Sequence, residues 1–396
     1  NMKSKLTNGE ETLATLLAEI PRQVERLSEV REELLANAVL LGEIPSPTFG
    51  EENRIRFVID RFRENELVDP TIDDCGNASA LLPGTEGENT ILLMAHADNV
   101  FDHETNHAMC VGSDRITGPG IADNAIGLSS ILTLPTLLDS LGLKLKDDLL
   151  LLANVKSLGR GNLQGAHHFL ETTQRPFRAG ICVEGATQGR LSYSGLGALR
   201  GEISLRIPGD YDWNRFGASG AIAHLSRLVG RIMEIPIPRE PKTSVVFGGL
   251  RCGSTYNTVP KRGSLRFEIT SEADTVVTDL ENQVRDLSEE FPLESGTEVK
   301  LEIVARRPNC SIPFGHPLVK TTRAIMDSLD ITPKVDPSTG DLNAIIQAGH
   351  PGVTLGLTTA ENLRDENESI LLDPLFKGLA QLISLLRSID EGLCDA

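Results

Sequence analysis

Apolar residues recur at helical spacing between positions 10 and 41, and Pro45 and Pro47 close that stretch. A second helical pattern covers 51–65. The pattern then changes. Three short apolar runs, TILLMAHAD, DDLLLLANV and AGICVEG, read as strands buried on both faces, with helical stretches at 125–141 and 162–172 between them. That alternation predicts an α/β domain with a mainly parallel sheet and helices on both faces. From 191 to 308 the order becomes strand (LSYSGLGALRGEISLRI), helix (218–233), strands (SVVFGG, SLRFEIT), helix (275–291) and strand (VKLEIVA). A β-α-β-β-α-β order is a self-contained sandwich, expected as an insertion in a larger domain made of 1–190 and 309–396. The larger domain resumes with a helix at 317–329, the run GVTLGL and a closing helix at 373–387.

Composition narrows the function classes. A formal net charge of -18 opposes nucleic acid and anionic membranes as partners and leaves a small or peptide ligand that is neutral, cationic or metal-bound. The six cysteines are scattered and form no C-x-x-C pair, which argues against a disulfide framework and a thiolate zinc cluster. No run approaches the roughly 20 apolar residues that span a bilayer, and the start NMKSKLTNGEET lacks a signal-peptide core. A cytoplasmic protein with reduced thiols is the expectation.

Three side chains fall at or just beyond strand ends, where α/β sheets place their sites: His96, Asp123 and Glu184. Taken singly, His96 is a core or loop histidine, Asp123 a helix cap in GPGIADNAIG, and Glu184 a turn residue. Taken together, one imidazole and two carboxylates make a zinc site with an open position. Asp98 lies two residues beyond His96 on the same side of an extended chain, placed to accept from the other ring nitrogen and fix the tautomer. GPGIAD lacks the third glycine and the later acidic residue of a dinucleotide loop, and His167 and His168 lie within a helical pattern.

The motifs H-A-D-N-V, G-P-G-I-A-D-N, G-x-G-N-L-x-G and V-E-G follow in this order, then G-S-T-Y-N-T-V-P, S-T-G-D-L-N and H-P-G-V-T-L-G. Over nearly the whole chain this resembles the dinuclear-zinc exopeptidase family that includes aminoacylase, glutamate carboxypeptidase, peptidase T and succinyl-diaminopimelate desuccinylase. The resemblance implies a catalytic α/β domain, an inserted lid through which two copies pair, and two zinc ions bridged by the aspartate at Asp123, usually ahead of a cis peptide. It makes His96 and Glu184 the ligands that complete one zinc site, with Asp98 orienting the histidine.

The same resemblance marks losses. The Glu-Glu pair that supplies the general base and a ligand of the other zinc aligns with Ser157 and Leu158, and no acidic residue lies between Asp148 and Glu171. A carboxyl-terminal histidine ligand aligns with Arg364, whose guanidinium cannot ligate zinc. The lid histidine that reaches a partner's site aligns with Tyr211, and the lid arginine aligns with Thr270, while the lid asparagine is kept as Asn257. Expected substrate contacts are therefore Asn257, Tyr211, Arg364 and Ser338. Candidate replacements are Glu361, Asp365, Glu366 and Glu368, which read as a solvated acidic loop, and His103 and His107, which follow the H-A-D-N-V strand by a short loop. Arg364 or Lys156 is expected to bring positive charge to the vacated zinc position. The overall expectation is a catalytically impaired homodimer holding at most one zinc per chain; an active hydrolase of a dipeptide or N-acyl amino acid, using one metal or substitute ligands, is the alternative.

Overall fold

In the computed structural model, which describes residues 8–208 and 220–396, the chain divides into one unit of 1–194 with 311–396 and a second of 195–310. The first unit opens with α1 (Asn8–Glu29), α2 (Arg31–Gly42) and α3 (Glu52–Glu64). The helical spacing over 10–41 is realised as two helices, separated where Val30 takes φ -100 and ψ 20. Strands β1 (Val68–Ile72), β2 (Ala78–Leu82) and β3 (Thr90–His96) follow, then α4 (Ile126–Ser140), β4 (Asp148–Asn154), α5 (Gln164–Thr172), β5 (Ala179–Ala186) and β6 (Arg190–Ser192).

The second unit contains β7 (Gly197–Arg206), α6 (Gly220–Met233), β8 (Thr243–Cys252), β9 (Arg262–Ser271), α7 (Asp274–Ser295) and β10 (Glu298–Arg307). Its four strands form one antiparallel sheet in the order β8-β9-β7-β10. The run 191–207, expected as one strand, is split between the units. Arg190–Ser192 joins the large sheet beside a strand of the first unit, and Gly197–Arg206 pairs inside the second. The first unit then closes with α8 (Pro317–Ser328), β11 (Lys334–Val335), α9 (Leu342–Gln347), β12 (Gly352–Thr358) and α10 (Leu372–Asp390).

The large sheet runs β1-β2-β4-β3-β5-β12-β6-β11. Its centre, β4-β3-β5-β12, is parallel; β1 and β2 pair antiparallel with their neighbours, and β6 runs antiparallel to β12 and parallel to β11. Every residue of β3, β4 and β12 is buried, which is why these strands read as unbroken apolar runs rather than as alternation. Side chains still alternate: Ile91, Leu93 and Ala95 enter the core beneath α1, α2, α4 and α10, whereas Leu92 and Met94 enter the one beneath α5 and α9. The stretch Ile121–Ser140 is long and apolar enough to cross a bilayer by length and composition, yet 83% of it is buried in this core. With helices on both faces, the sheet leaves its strand ends and following loops for the polar residues.

Candidate metal centre

His96 is the last residue of β3 and only 4% exposed. Its Nε2 lies 3.1 Å from Asp123 Oδ1 and 3.7 Å from Glu184 Oε2. Its Nδ1 turns to Asp98, 2.9 Å from the backbone carbonyl oxygen and 3.4 Å from the carboxylate Oδ1. The nearer partner is thus the carbonyl, with the carboxylate behind it. Asp98 is fully buried and cannot drift, because Oδ2 accepts from Thr48 Oγ1 at 2.7 Å, Ser157 N at 3.1 Å and Leu158 N at 2.9 Å. Buried Arg54 fixes the intervening residue, donating to the carbonyl oxygens of Ala97 at 2.9 Å and Ile44 at 2.7 Å.

Asp123 lies in the turn Ile121–Ala125 that leads into α4, where its backbone leaves helical geometry at φ -129 and ψ 79. Left-handed Gly120 (φ +76) opens the turn, and the Asp123–Asn124 peptide is cis. Asn124 staples the turn to β5: its Nδ2 donates to Val183 O at 2.8 Å and its Oδ1 accepts from Gly185 N at 2.9 Å. Glu184, between those two anchor points, is thereby held across from Asp123. A Cβ on Gly185 would fall on the Ala122 carbonyl oxygen, so this approach needs glycine.

One nitrogen and two carboxylate oxygens, from His96, Asp123 and Glu184, lie within 4.8 Å of one another. Burial works against an imidazolium at His96, but Asp123, Asp98 and Glu184 override it and hold the ring well above its ordinary value. Asp98 and Asp123 stay below the usual carboxylate range, where pairing with His96 outweighs their burial. Such a pocket demands a cation, and a divalent metal on Nε2 and the two carboxylates meets that demand as a proton does. The donor set fits the metal that the sequence leads one to expect.

The other side of Asp123 is built differently. Arg364 Nε lies 3.6 Å from Asp123 Oδ2, with the arginine side chain 66% exposed. Its charge, and that of Arg190 on β6, helps keep Asp123 ionised. Lys156 does not share this role: its Nζ donates to Cys75 O at 2.8 Å. Nor is Glu368 part of a solvated loop. It is fully buried, and its carboxylate accepts from the backbone of Ala122 at 2.6 Å, Asp123 at 3.1 Å and Arg364 at 2.7 Å, tying the 364–368 segment to the Asp123 turn. His103 is exposed, and buried His107 bonds the Asp102 carbonyl at 2.8 Å; neither joins the metal-ligand group.

Ser157, which the resemblance aligns with the expected base, is buried. Its hydroxyl donates to Asp341, 3.1 Å from each carboxylate oxygen, and accepts from Asn154 Nδ2 at 2.7 Å. Asp341 precedes α9 in the S-T-G-D-L-N segment and is 4% exposed. Burial pushes its carboxyl up to about 6, the charges of Asp98 and Glu184 adding to the effect and His96 opposing it. The S-T-G-D-L-N motif by itself assigns this aspartate no role, because its burial beside Ser157 depends on the fold. Ser338 is buried, its Oγ accepting from Gly340 N at 2.9 Å. Asn257 is exposed in the second unit, Thr270 there bonds Ser244 at 2.8 Å, and Tyr211 lies outside the described residues.

The fold has counterparts among known proteins. Residues 77–194, which include His96, Asp123, Ser157 and Glu184, match the profile of Peptidase family M28. A LysW-lysine/LysW-ornithine hydrolase of Saccharolobus solfataricus is 23% identical over 365 residues, covering 90% of this chain and 95% of that protein. The di-peptidase Dug1p of Saccharomyces cerevisiae superposes with a TM-score of 0.78 at 11% identity, over 94% of this chain and 98% of the other. The M20 family metallo-carboxypeptidase Sso-CP2 of Sulfolobus solfataricus gives 0.69 at 15%, over 91% and 99%. These likenesses support a zinc exopeptidase and amidohydrolase fold for the chain. Within that fold the described residues hold one metal-ligand cluster, with a guanidinium against the outer oxygen of its central aspartate.

Asp341 gives the site a measurable pH signature. Its folded value is raised, so its share of stability is complete below the unfolded value of about 4 and is lost as pH rises through about 6. That loss is on the order of 3 kcal/mol. In chelator-treated protein, Asp341→Asn removes it: urea unfolding should show the variant gaining on the wild type between pH 4 and 8. A stability difference that does not change with pH contradicts the assignment.

Proposed function

We propose that this protein is a catalytically impaired amidohydrolase that binds one zinc ion through His96, Asp123 and Glu184 and takes a small amide ligand, a dipeptide or an N-acyl amino acid. The observation that carries the reading is the divided character of the site. One half has three converging donors on a buried, doubly anchored imidazole. The other half has a serine and a leucine at the expected base and a guanidinium, which cannot ligate metal, beside Asp123. Loss of a general base typically costs a factor of about 10² to 10⁴, so turnover should be slow and ligand retention comparatively long.

When bound, zinc would polarise an amide carbonyl and acidify water. The chain's own contribution is to hold the donors in place, through Asp98 behind His96 and Asn124 between the Asp123 turn and β5. A faster enzyme is the second reading, favoured by the hydrolase name of the archaeal relative and its near full-length coverage. Pairing of two copies through the second unit belongs to the proposal as well; a single chain in sedimentation velocity removes it.

Turnover separates the two readings. Zinc-loaded protein should release amino acid from dipeptides and N-acyl amino acids slowly, and Glu184→Ala should bring release to background. Installing Ser157→Glu, Leu158→Glu and Arg364→His together should raise the rate. Fast turnover by the unaltered chain contradicts impairment, and release unaffected by Glu184→Ala contradicts the site.

A further inference from the structure

The hydroxyl of Ser157 and the carboxylate of Asp341 form a pair that metal binding alone leaves unexplained. In sheet register Asn154 lies opposite His96, and three residues later the chain turns back so that Ser157 N donates to Asp98, the carboxylate behind His96. Both ends of the 154–157 turn are thus fixed against the metal-binding histidine. Inside it, Asn154 Nδ2 points at Ser157 Oγ from 2.7 Å, and that oxygen's proton is shared between the two oxygens of Asp341, each 3.1 Å away. Asn154 is fully buried and its own Oδ1 has no hydrogen-bond partner, so the turn retains an unused acceptor.

A buried carboxylate beside others of its kind is costly. The hydrogen-bonding neighbours of Asp341 are a hydroxyl and an amide; the charge of His96 favours its ionised form, and those of Asp98 and Glu184 repel it. We propose that Ser157 and Asp341 form a proton relay for the residual hydrolysis, Asp341 acting through the Ser157 hydroxyl. This rests on the reading of the site as a slow amidohydrolase.

Water passes a proton to Ser157 Oγ while the serine proton moves to Asp341. The water oxygen bonds to the amide carbon, the C–N bond breaks, and Asp341 returns the proton through Ser157 to the departing amine. The sum is amide plus water to acid plus amine. Serine is shorter than glutamate and cannot hold the proton itself, which is why the pair, rather than either residue, does the work. A group titrating at about 6 is suited to accept and return a proton near neutral pH.

Zinc-loaded wild type, Asp341→Asn and Ser157→Ala would be compared on N-acetylmethionine and leucylglycine from pH 5 to 9, with metal content measured on each. Both variants should keep their metal, lose about 10²-fold in kcat, and lose the acid limb of the wild-type pH profile; Ser157→Thr should restore much of the rate. In chelated wild type, carbon-13 NMR should show the Asp341 carboxyl titrating near that pH. Wild-type rates and pH profiles in both variants, or a carboxyl that titrates in the ordinary carboxylate range, overturn the relay alone. Loss of metal together with rate shows a structural role and overturns it too. No zinc-dependent turnover in the wild type overturns the slow-hydrolase reading and the relay together.

Discussion

The site depends on a balance of charge around one buried imidazole. Asp98 stands behind His96, Asp123 and Glu184 in front, and Asp341 a short distance off, in a chain whose net charge is already -18. Four carboxylates in so small and dry a volume stay ionised only if positive charge is supplied. The protein supplies it in layers. His96 binds a proton or gives its place to a metal, Arg364 and Arg190 act on Asp123, and buried Arg54 lies near Asp98 and Glu51, its guanidinium pushed down to about 10 by burial that those two carboxylates partly offset. What remains unbalanced is Asp341, which responds by holding its proton to higher pH.

The fold exists to make this arrangement rigid. Apolar strands buried on both faces hold the sheet centre, and the polar groups are confined to where those strands end. From there each site residue is tied by backbone bonds to a different element: Asp98 to the 157–158 turn, Asn124 to β5, Glu368 to the Asp123 turn. These ties hold the donors of the cluster in place.

Much of this was legible in sequence, and the reasons differ by feature. Unbroken apolar runs such as TILLMAH announce central strands because burial on both faces abolishes alternation. The convergence of His96, Asp123 and Glu184 was legible because they sit at or just beyond strand ends in short, recognisable segments. Asp341 and Glu368 were not, since a carboxylate's burial is a tertiary property: Glu368 ends a run of four acidic or amide residues, 365–368, whose composition reads as solvated, yet it caps three backbone amides. Lys156 and Arg364 looked equivalent as cations near the site. Only the fold decides that Lys156 turns to Cys75 and Arg364 to Asp123. The strand predicted across 191–207 failed for a similar reason, because β propensity continues through a junction at which the chain changes sheets.

The number of metal ions per chain tests the central claim most directly. Protein purified without chelator and equilibrated with zinc would be measured by elemental mass spectrometry beside Glu184→Ala. One zinc ion per chain, lost in the variant, is the result this account predicts. Two per chain would show that a second set of ligands exists, and none, or one that persists in Glu184→Ala, would show that His96, Asp123 and Glu184 are not the metal centre.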